Sequence, residues 1–277
     1  MNTFKLENLT QTEGTIVTNE SNLSVCLTAG GFIFAIIDKK FCLKATGEFS
    51  VDLNGSIPQV MTNIKTCFSS VGIHIFNFNS IRVVCSTQRS VWVPFKLYDA
   101  SKNKDYLKTV SPVYSNDTVI ANVCQKLDAV NVFAYPLQQY SGMKIVMPKA
   151  RYVSPSEVLA QYAFDVSSFM QNTFIMNKTS NGCGFAVFKG NTFTLSNSFT
   201  YQTADDMIYF LLYTLQQLEI NTAEVNLMLS GEKFTEEELH LLKRYIKHVS
   251  YANCAENITV PAEFDGIDLQ KYFLLLA

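Results

Sequence analysis

Histidine and cysteine are the residues best suited to bind metals or to act as nucleophiles, and here they form no recognisable site. His240 and His248 lie eight residues apart, whereas two imidazoles on one helix face need a spacing of four. The third histidine, His74, stands alone. The chain has no Cys-x-x-Cys pair, no Gly-x-Ser-x-Gly elbow and no P-loop. The sequence therefore predicts no catalytic residues and no metal ligands.

Cys183, between Gly182 and Gly184, is open to two interpretations. A thiol in an exposed turn could be reactive, but no histidine lies nearby in sequence to lower its pKa. A small turn residue with no chemical role explains it more simply. The seven cysteines are scattered and odd in number, which is typical of reduced, buried thiols in a cytosolic protein.

Two acidic clusters, Asp205-Asp206 and Glu236 to Glu238, are the other candidates for chemistry. Each follows a threonine that can cap a helix, and carboxylates in a first helical turn are stabilised by the helix dipole. Metal binding by Asp205-Asp206 is the alternative. We expect both clusters to begin helices.

Composition limits the classes of function. The 277 residues are 48% hydrophobic and 17% charged, with a net charge of −2, so a core can form and no basic excess favours nucleic acid or an anionic membrane. The longest apolar run, residues 207–213, is too short to span a bilayer. No signal-peptide pattern is present. We expect a cytoplasmic protein with no membrane span.

Residues 172–260 organise the chain. Short apolar runs at 172–177, 184–188 and 192–201, separated by Gly and Asn, predict three strands. A capped helix at 203–219, a strand at 225–229 and a second capped helix at 234–248 follow.

A weaker copy of the same order occupies residues 23–124. It comprises strands at 23–27, 32–38 and 41–51, a helix at 56–71, a strand at 81–85 and a charged helix at 97–110, which we align with the helix at 234–248. Further strands are predicted at 119–124, 130–134 and 144–147, and a helix from 154 to 170. Residues 1–21 read as a loose lead-in. The apolar tail, 261–277, is predicted to dock on the body as either strand or helix.

The ribonuclease H-like unit has the element order three strands, helix, strand, helix, strand. Two such units in tandem resemble the actin-like ATPase superfamily. That resemblance implies an α/β fold with mixed sheets flanked by helices. We place a first ribonuclease H-like domain at 1–170 and a second at 171–277.

Two segments carry a narrower resemblance. The pattern Leu-Ser-Val-x-Leu-x-x-x-Gly-Phe-x-Phe over residues 23–34 and Val-Pro-x-x-Leu-Tyr over 93–98 are similar to an uncharacterised Bacteroidetes family with an actin-like ATPase fold and no known function. Pilus-assembly and secretion proteins are more distant relatives.

The superfamily resemblance implies where a nucleotide would bind. Each first hairpin of the superfamily carries an acid that holds the metal and a Gly-rich turn whose amides face phosphate. The cofactor-binding candidates are therefore the two hairpins and the turn after the strand at 225–229, which resembles the adenosine motif: Thr28, Gly30, Gly31, Asn177, Ser230 and Gly231. Thr28 and Asn177 replace the expected acids, and neutral side chains hold a cation poorly.

Two functions remain open. The missing acids favour a non-catalytic module that acts as a cytoplasmic scaffold or adaptor for a protein partner, with no cofactor. The alternative is a nucleotide-binding ATPase or small-molecule kinase, in which Asp38 or Asp205 supplies the acid for magnesium and ATP.

Overall fold

The computed structural model describes residues 4–14, 16–168, 171–180 and 182–277. The elements of its first sheet are β1 (Phe4–Gln11), β2 (Ser21–Thr28), β3 (Gly31–Asp38), β4 (Leu43–Val51), α1 (Ile57–Ser70) and β5 (Ser80–Cys85), with α3 (Leu137–Val146) and β9 (Arg151–Val153) further along the chain. The strand order is β1-β4-β3-β2-β5-β9. Strands β2, β3 and β4 form an antiparallel meander, and β5 and β9 run parallel to β2.

A second sheet repeats this order. Its elements are β10 (Asn172–Thr179), β11 (Gly182–Lys189), β12 (Thr192–Phe199), α5 (Ala204–Gln217), β13 (Val225–Gly231), α6 (Glu236–Tyr245) and β14 (His248–Tyr251). The order β12-β11-β10-β13-β14 matches β4-β3-β2-β5-β9 strand for strand. The predicted α/β fold of two related units with mixed sheets and flanking helices is confirmed.

Two glycines mark equivalent positions in the copies. Gly31 and Gly182 begin β3 and β11 with φ of 151° and 156°. A Cβ on either would lie 2.0 or 2.1 Å from a carbonyl oxygen of the neighbouring strand, that of Phe49 or Phe199. Because no larger residue fits there, each hairpin keeps glycine at its first returning residue. Gly31 is therefore the structural equivalent of Gly182.

An inserted sheet interrupts the first copy. It contains β6 (Ser90–Pro94), α2 (Asn103–Lys108), β7 (Asp117–Cys124) and β8 (Ala129–Pro136), in the strand order β6-β8-β7. The helix that precedes the last strand of each copy is α3 in the first and α6 in the second. The alignment of 97–110 with 234–248 was therefore wrong, since 97–110 belongs to the insert and only six of its residues form an α-helix.

The two sheets share a buried cluster. Helix α4 (Pro155–Val166) packs on β11 and on β10. The tail forms a 3₁₀ turn (Leu269–Tyr272) that continues into α7 (Phe273–Leu276). Buried residues of β2, β3, β10 and β11 contact α4 and the tail in one continuous cluster, so the prediction that the tail docks is confirmed, and its form is helical.

Arg82 on β5 fixes the end of the tail. Its guanidinium donates hydrogen bonds to the main-chain oxygens of Leu275 and Ala277, both at 2.8 Å. Helical carbonyls at a C-terminus have no partner within the helix, and Arg82 supplies one. The first sheet is thereby joined to a segment that follows the second.

Several local predictions were wrong. Residues 4–11 form an edge strand paired with β4 where a loose lead-in was expected. Residues 144–146 end helix α3 and form no strand. Phe41 lies in a turn with φ of 58°, so the third strand begins at Leu43. The helix from 154 ends at Val166, and the predicted domain boundary at Met170 lies outside the described residues.

Helix starts followed the sequence more closely. Thr203 and Thr235 form full capping boxes with Asp206 and Glu238, so both acidic clusters do begin helices. At the start of α4, Ser154 accepts a hydrogen bond from the main chain of Glu157, whereas the Ser56 side chain makes no capping bond at the start of α1.

Candidate functional site

A cleft of about 720 Å³ opens between the two sheets, at the ends of β2, β10 and β13. Four of the six cofactor-binding candidates line it: Thr28, Gly30, Asn177 and Gly231. Gly31 and Ser230 are not among the lining residues. The fold therefore brings the two hairpins and the strand end of β13 to one cavity.

Ser230 and Gly231, predicted as a turn, are the last residues of β13, and close backbone contacts fix them there. Gly231 has φ of +88°, and a Cβ there would lie 2.1 Å from the carbonyl oxygen of Lys178. Ser230 is fully buried, and its hydroxyl lies 3.2 Å from both the Met176 carbonyl oxygen and the Asn177 Oδ1. The Asn177 side chain thus lies within hydrogen-bonding distance of the neighbouring strand.

The equivalent of Thr28 in the second hairpin is Thr179. Thr28 pairs with Gly31, and Thr179 pairs with Gly182, at the same place in each hairpin. The Thr179 hydroxyl donates to the Gly182 carbonyl oxygen at 3.0 Å. Both hairpins therefore end their first strand on a neutral hydroxyl. Asn181, in the predicted second turn, lies outside the described residues.

Lys178 on β10 forms an ion pair with Glu238 of α6. The two side chains meet at 2.6 Å and are 13% and 7% exposed, and the ammonium lies 5.3 Å from the Phe234 ring centroid. Burial raises the pKa of Glu238, but hydrogen bonds from Lys178, the Thr235 main chain and Tyr201 outweigh it, so the pKa is lowered. The lysine nearest the second hairpin is thereby engaged with a buried carboxylate.

Other charged groups of the lining are also paired. Arg89, at the start of the insert, binds both carboxylate oxygens of Asp117 and stacks on Tyr114 at 5.1 Å. Burial raises the pKa of Asp117, yet the hydrogen bonds from Arg89 and the Tyr114 main chain lower it overall. Glu48 on β4 pairs with Lys271 of the tail. The fifth charged residue of the lining is Glu232, which directly follows β13 and whose main-chain N–H donates to the Lys178 carbonyl oxygen at 3.0 Å.

The rest of the polar lining is neutral. It includes hydroxyl and amide side chains from both halves of the chain, among them Asn54, Ser86, Thr87, Gln139, Ser156 and Asn197. Magnesium is normally held by one or two carboxylates together with phosphate. Thr28, Thr179 and Asn177 offer none at the hairpins, so the residues present do not fit a magnesium–nucleotide complex. Within the described residues, no group of three or more His, Cys, Asp and Glu side chains could hold a metal ion.

Neither acid named in the alternative function lies at the cleft. Asp38 is at the far end of β3, and its carboxylate accepts hydrogen bonds from the main chain of Lys40 and Cys42. Asp205 lies in the first turn of α5. The lining residues of the described chain include neither of them.

Cys183 is not an exposed thiol. It is fully buried in β11, and burial raises the pKa of its thiol to about 12. Cys183 lies within a strand and not in a turn, so both interpretations placed it wrongly.

Sequence reasoning missed the paired charges of the cleft. Glu48 and Lys271 are 223 residues apart, and Arg89 and Asp117 belong to opposite edges of the insert. Nothing in their spacing marks them as partners. A signal did exist for Glu238, because the capping box at Thr235 places it at a fixed position on α6.

Two sheets of the same order, facing a cleft lined by glycine turns, define an actin-like ATPase fold. A crystal structure from Bacteroides thetaiotaomicron, described as a protein with actin-like ATPase fold and unknown function, matches with a TM-score of 0.77. The match covers 95% of this chain and all of that one at 22% identity. The PilM–PilN type IV pilus biogenesis complex matches with a TM-score of 0.50 over 92% of this chain and 97% of that chain, at 10% identity.

The chain belongs to the family described as protein of unknown function DUF3822, whose model matches residues 10–249. No curated protein matches it. In the described residues, no helix is long and apolar enough to cross a membrane.

Proposed function

We propose that this protein is a non-catalytic actin-like module that serves as a scaffold or adaptor for a protein partner in the cytoplasm. One observation carries the proposal. The hairpin positions that would hold a metal carry Thr28 and Asn177, and the structural equivalent of Thr28 is Thr179. All three are neutral, so neither hairpin offers a carboxylate to a magnesium–phosphate group.

The charges of the cleft support the same conclusion. A nucleoside triphosphate brings several negative charges, and binding it needs free cations or a bound metal. Lys178, Arg89 and Lys271 are each engaged with a carboxylate. Removing one partner from a buried pair is strongly unfavourable, by about 3–5 kcal/mol. Recruiting Lys178 to a phosphate would leave Glu238 without its cation.

A role in an assembly is consistent with one structural relative. PilM, which shares the fold, is found in a complex with PilN. The same fold without phosphate chemistry could present surfaces to a partner while its cleft stays inert.

ATP turnover and nucleotide-induced thermal stabilisation test the proposal. We expect no turnover with or without magnesium, and no rise in melting temperature with ATP or ADP. A nucleotide at a hundredfold excess over its Kd would add about 2.7 kcal/mol, a shift of roughly 5–10 °C for a chain of this size.

A variant distinguishes real activity from contamination. Ala29 lines the cleft and is exposed, so Ala29→Trp would obstruct the site with little strain. Ala223→Trp is the matched control, because Ala223 is also exposed and lies outside the cleft lining. Turnover that disappears in Ala29→Trp and persists in Ala223→Trp would overturn the non-catalytic proposal.

Nucleotide binding, as in an ATPase or small-molecule kinase, is the second candidate. The cleft volume of about 720 Å³ favours it, because ligand pockets typically enclose about 300–1,000 Å³. The same thermal-shift measurement decides this case: a rise with ATP would indicate nucleotide binding, and the turnover assay would show whether the bound nucleotide is hydrolysed.

A further inference from the structure

Helix α5 carries an unusual aromatic surface on its outer side. Tyr209 and Tyr213 are one turn apart, 61% and 49% exposed, and their rings stack at 5.9 Å with an angle of 13°. Phe210 lies beside them, 5.6 Å from Tyr209. We call these three residues the tyrosine face. The opposite side of α5 is buried in the core of the second sheet.

The tyrosine face is continuous with the core beneath it. Phe210 stacks on Phe199 at 4.7 Å, and Phe199 contacts the buried Phe185 at 5.8 Å. Side chains held in this way lose little conformational freedom when a partner binds. Rigid aromatic side chains are also the residues that contribute most to protein interfaces.

The chain segment that carries the tyrosine face has no basic residues. Residues 190–232 contain no Lys, Arg or His, and five acidic residues: Asp205, Asp206, Glu219, Glu224 and Glu232. Asp206 is used by the capping box, whereas Asp205 is exposed one turn before Tyr209. In the described residues, a Lys or Arg side chain lies over six aromatic rings, and the rings of Tyr209 and Tyr213 are not among those six.

We propose that the tyrosine face docks a basic amphipathic segment of a partner protein. Lys or Arg of that segment would lie over the rings of Tyr209 and Tyr213 and near Asp205, and an aliphatic side chain would pack on Phe210. A cation over an exposed aromatic ring is attracted by the ring's negative face. The inference rests on the proposed adaptor role and specifies the chemistry of its partner.

A second copy of this chain fits the surface less well. In a two-fold dimer the same patch contacts itself, so the rings of Tyr209 and Tyr213 would meet a copy of the tyrosine face, which offers them no cation. Nucleic acid and anionic membranes are disfavoured because residues 190–232 contain no basic side chain. A partner of opposite sign satisfies both the charge and the aromatic rings.

Fluorescence anisotropy tests the proposal with a defined probe. The probe is a labelled peptide as long as α5, which has 14 residues, built of Arg and Leu at helical spacing. Its control is the same peptide with Glu for Arg. The protein variants are Tyr209→Ser/Tyr213→Ser and, as a matched control, Tyr245→Ser/Tyr251→Ser, whose tyrosines are 42% and 46% exposed elsewhere.

We expect the Arg peptide to bind the native chain and the control variant alike. The Tyr209→Ser/Tyr213→Ser variant should bind about tenfold more weakly, or about 1.4 kcal/mol. Equal affinity for both variants, equal binding of the Glu peptide, or no saturable binding of the Arg peptide would overturn the proposal. Analytical sedimentation gives one further test. If the native chain is a dimer and the Tyr209→Ser/Tyr213→Ser variant is a monomer, the proposal is overturned, because a second copy of the chain then occupies the tyrosine face.

These outcomes are independent of the cleft. The lining residues of the described chain include none from α5. A failed peptide test therefore leaves the absence of ATP turnover as a separate question, and ATP turnover would leave peptide binding unaffected.

Discussion

Replacing Phe273 with alanine should separate the two halves of the chain energetically. Phe273 is fully buried, its ring meets Tyr162 of α4 edge-on at 4.9 Å, and its cluster includes residues of both sheets, such as Ile33 and Ile175. Truncating a buried Phe costs about 3–5 kcal/mol through lost transfer energy and the cavity that remains. Because total stabilities are about 5–15 kcal/mol, we expect a large fraction of the stability to be lost.

Equilibrium urea unfolding measures this loss. Trp92 is the single tryptophan and reports on the contact between the halves, since its indole N–H donates to the Ser156 hydroxyl and its ring meets Phe193 at 5.0 Å. Circular dichroism reports on both sheets. We expect the Trp92 transition to shift to lower urea, and the two probes to cease to coincide.

Phe76→Ala is the matched control, because the same side chain is removed at a position 65% exposed. Its effect should stay within about 0.5 kcal/mol. A loss below about 1 kcal/mol in Phe273→Ala, or an equal loss in both variants, would refute the inference that the tail holds the halves together.

Two further predictions concern Gly231 of the cleft lining and Glu238, the partner of Lys178. Gly231→Ala should destabilise the protein more than Gly266→Ala. Both glycines have a positive φ, +88° and +85°. A Cβ at Gly231 would meet the carbonyl oxygen of Lys178, whereas within the described residues no atom lies within 4 Å of a Cβ at Gly266. Urea denaturation should show that Gly266→Ala lowers the free energy of unfolding by about 1 kcal/mol and that Gly231→Ala lowers it by at least about twice as much. Equal losses would contradict the inferred clash at Gly231. Glu238→Gln should remove a contribution to the free energy of unfolding that depends on acid pH. The folded pKa of Glu238 lies below its ordinary 4.5. The ionised carboxylate therefore stabilises the fold above that pH, and the stabilisation is lost as the pH falls through the folded pKa. The native chain should therefore lose stability in that acidic window more steeply than the variant, and parallel pH profiles would exclude this role.

Local hydrogen bonding made some elements predictable from sequence. The capping boxes at Thr203 and Thr235 are closed by a residue three positions away, so short-range spacing contains all the information. The strands of the second sheet were equally evident, because β10, β11 and β13 are buried along most of their length and each contains a short apolar run.

Elements decided by distant contacts were not predictable. Strand β1 is mostly exposed and polar, and it forms because β4 offers an unpaired edge. The apolar run at 144–147 is too short to distinguish strand from helix by periodicity, and packing of α3 on α1 accompanies its helical form. The insert obscured the first copy, since it separates β5 from α3.

The candidate site was predictable only in part. Glycine turns at Gly30 and Gly231 reveal where the chain bends, and Asn177 and Thr28 reveal the absent carboxylates. The partners of Lys178 and Glu48 come from α6 and the tail. Whether the cations of the cleft are free is therefore a property of the three-dimensional arrangement.

The bond between Arg82 and the tail also has a consequence for synthesis on the ribosome. Arg82 precedes its acceptor at Ala277 by 195 residues. At about 5–20 residues per second, roughly 10–40 s pass between the synthesis of β5 and the synthesis of the tail to which Arg82 binds. During this interval the face of the first sheet that carries Ile33 and Leu43 has no tail to cover it. The nascent first half is thus an expected client of chaperones, and slow translation of the second half would prolong that exposure.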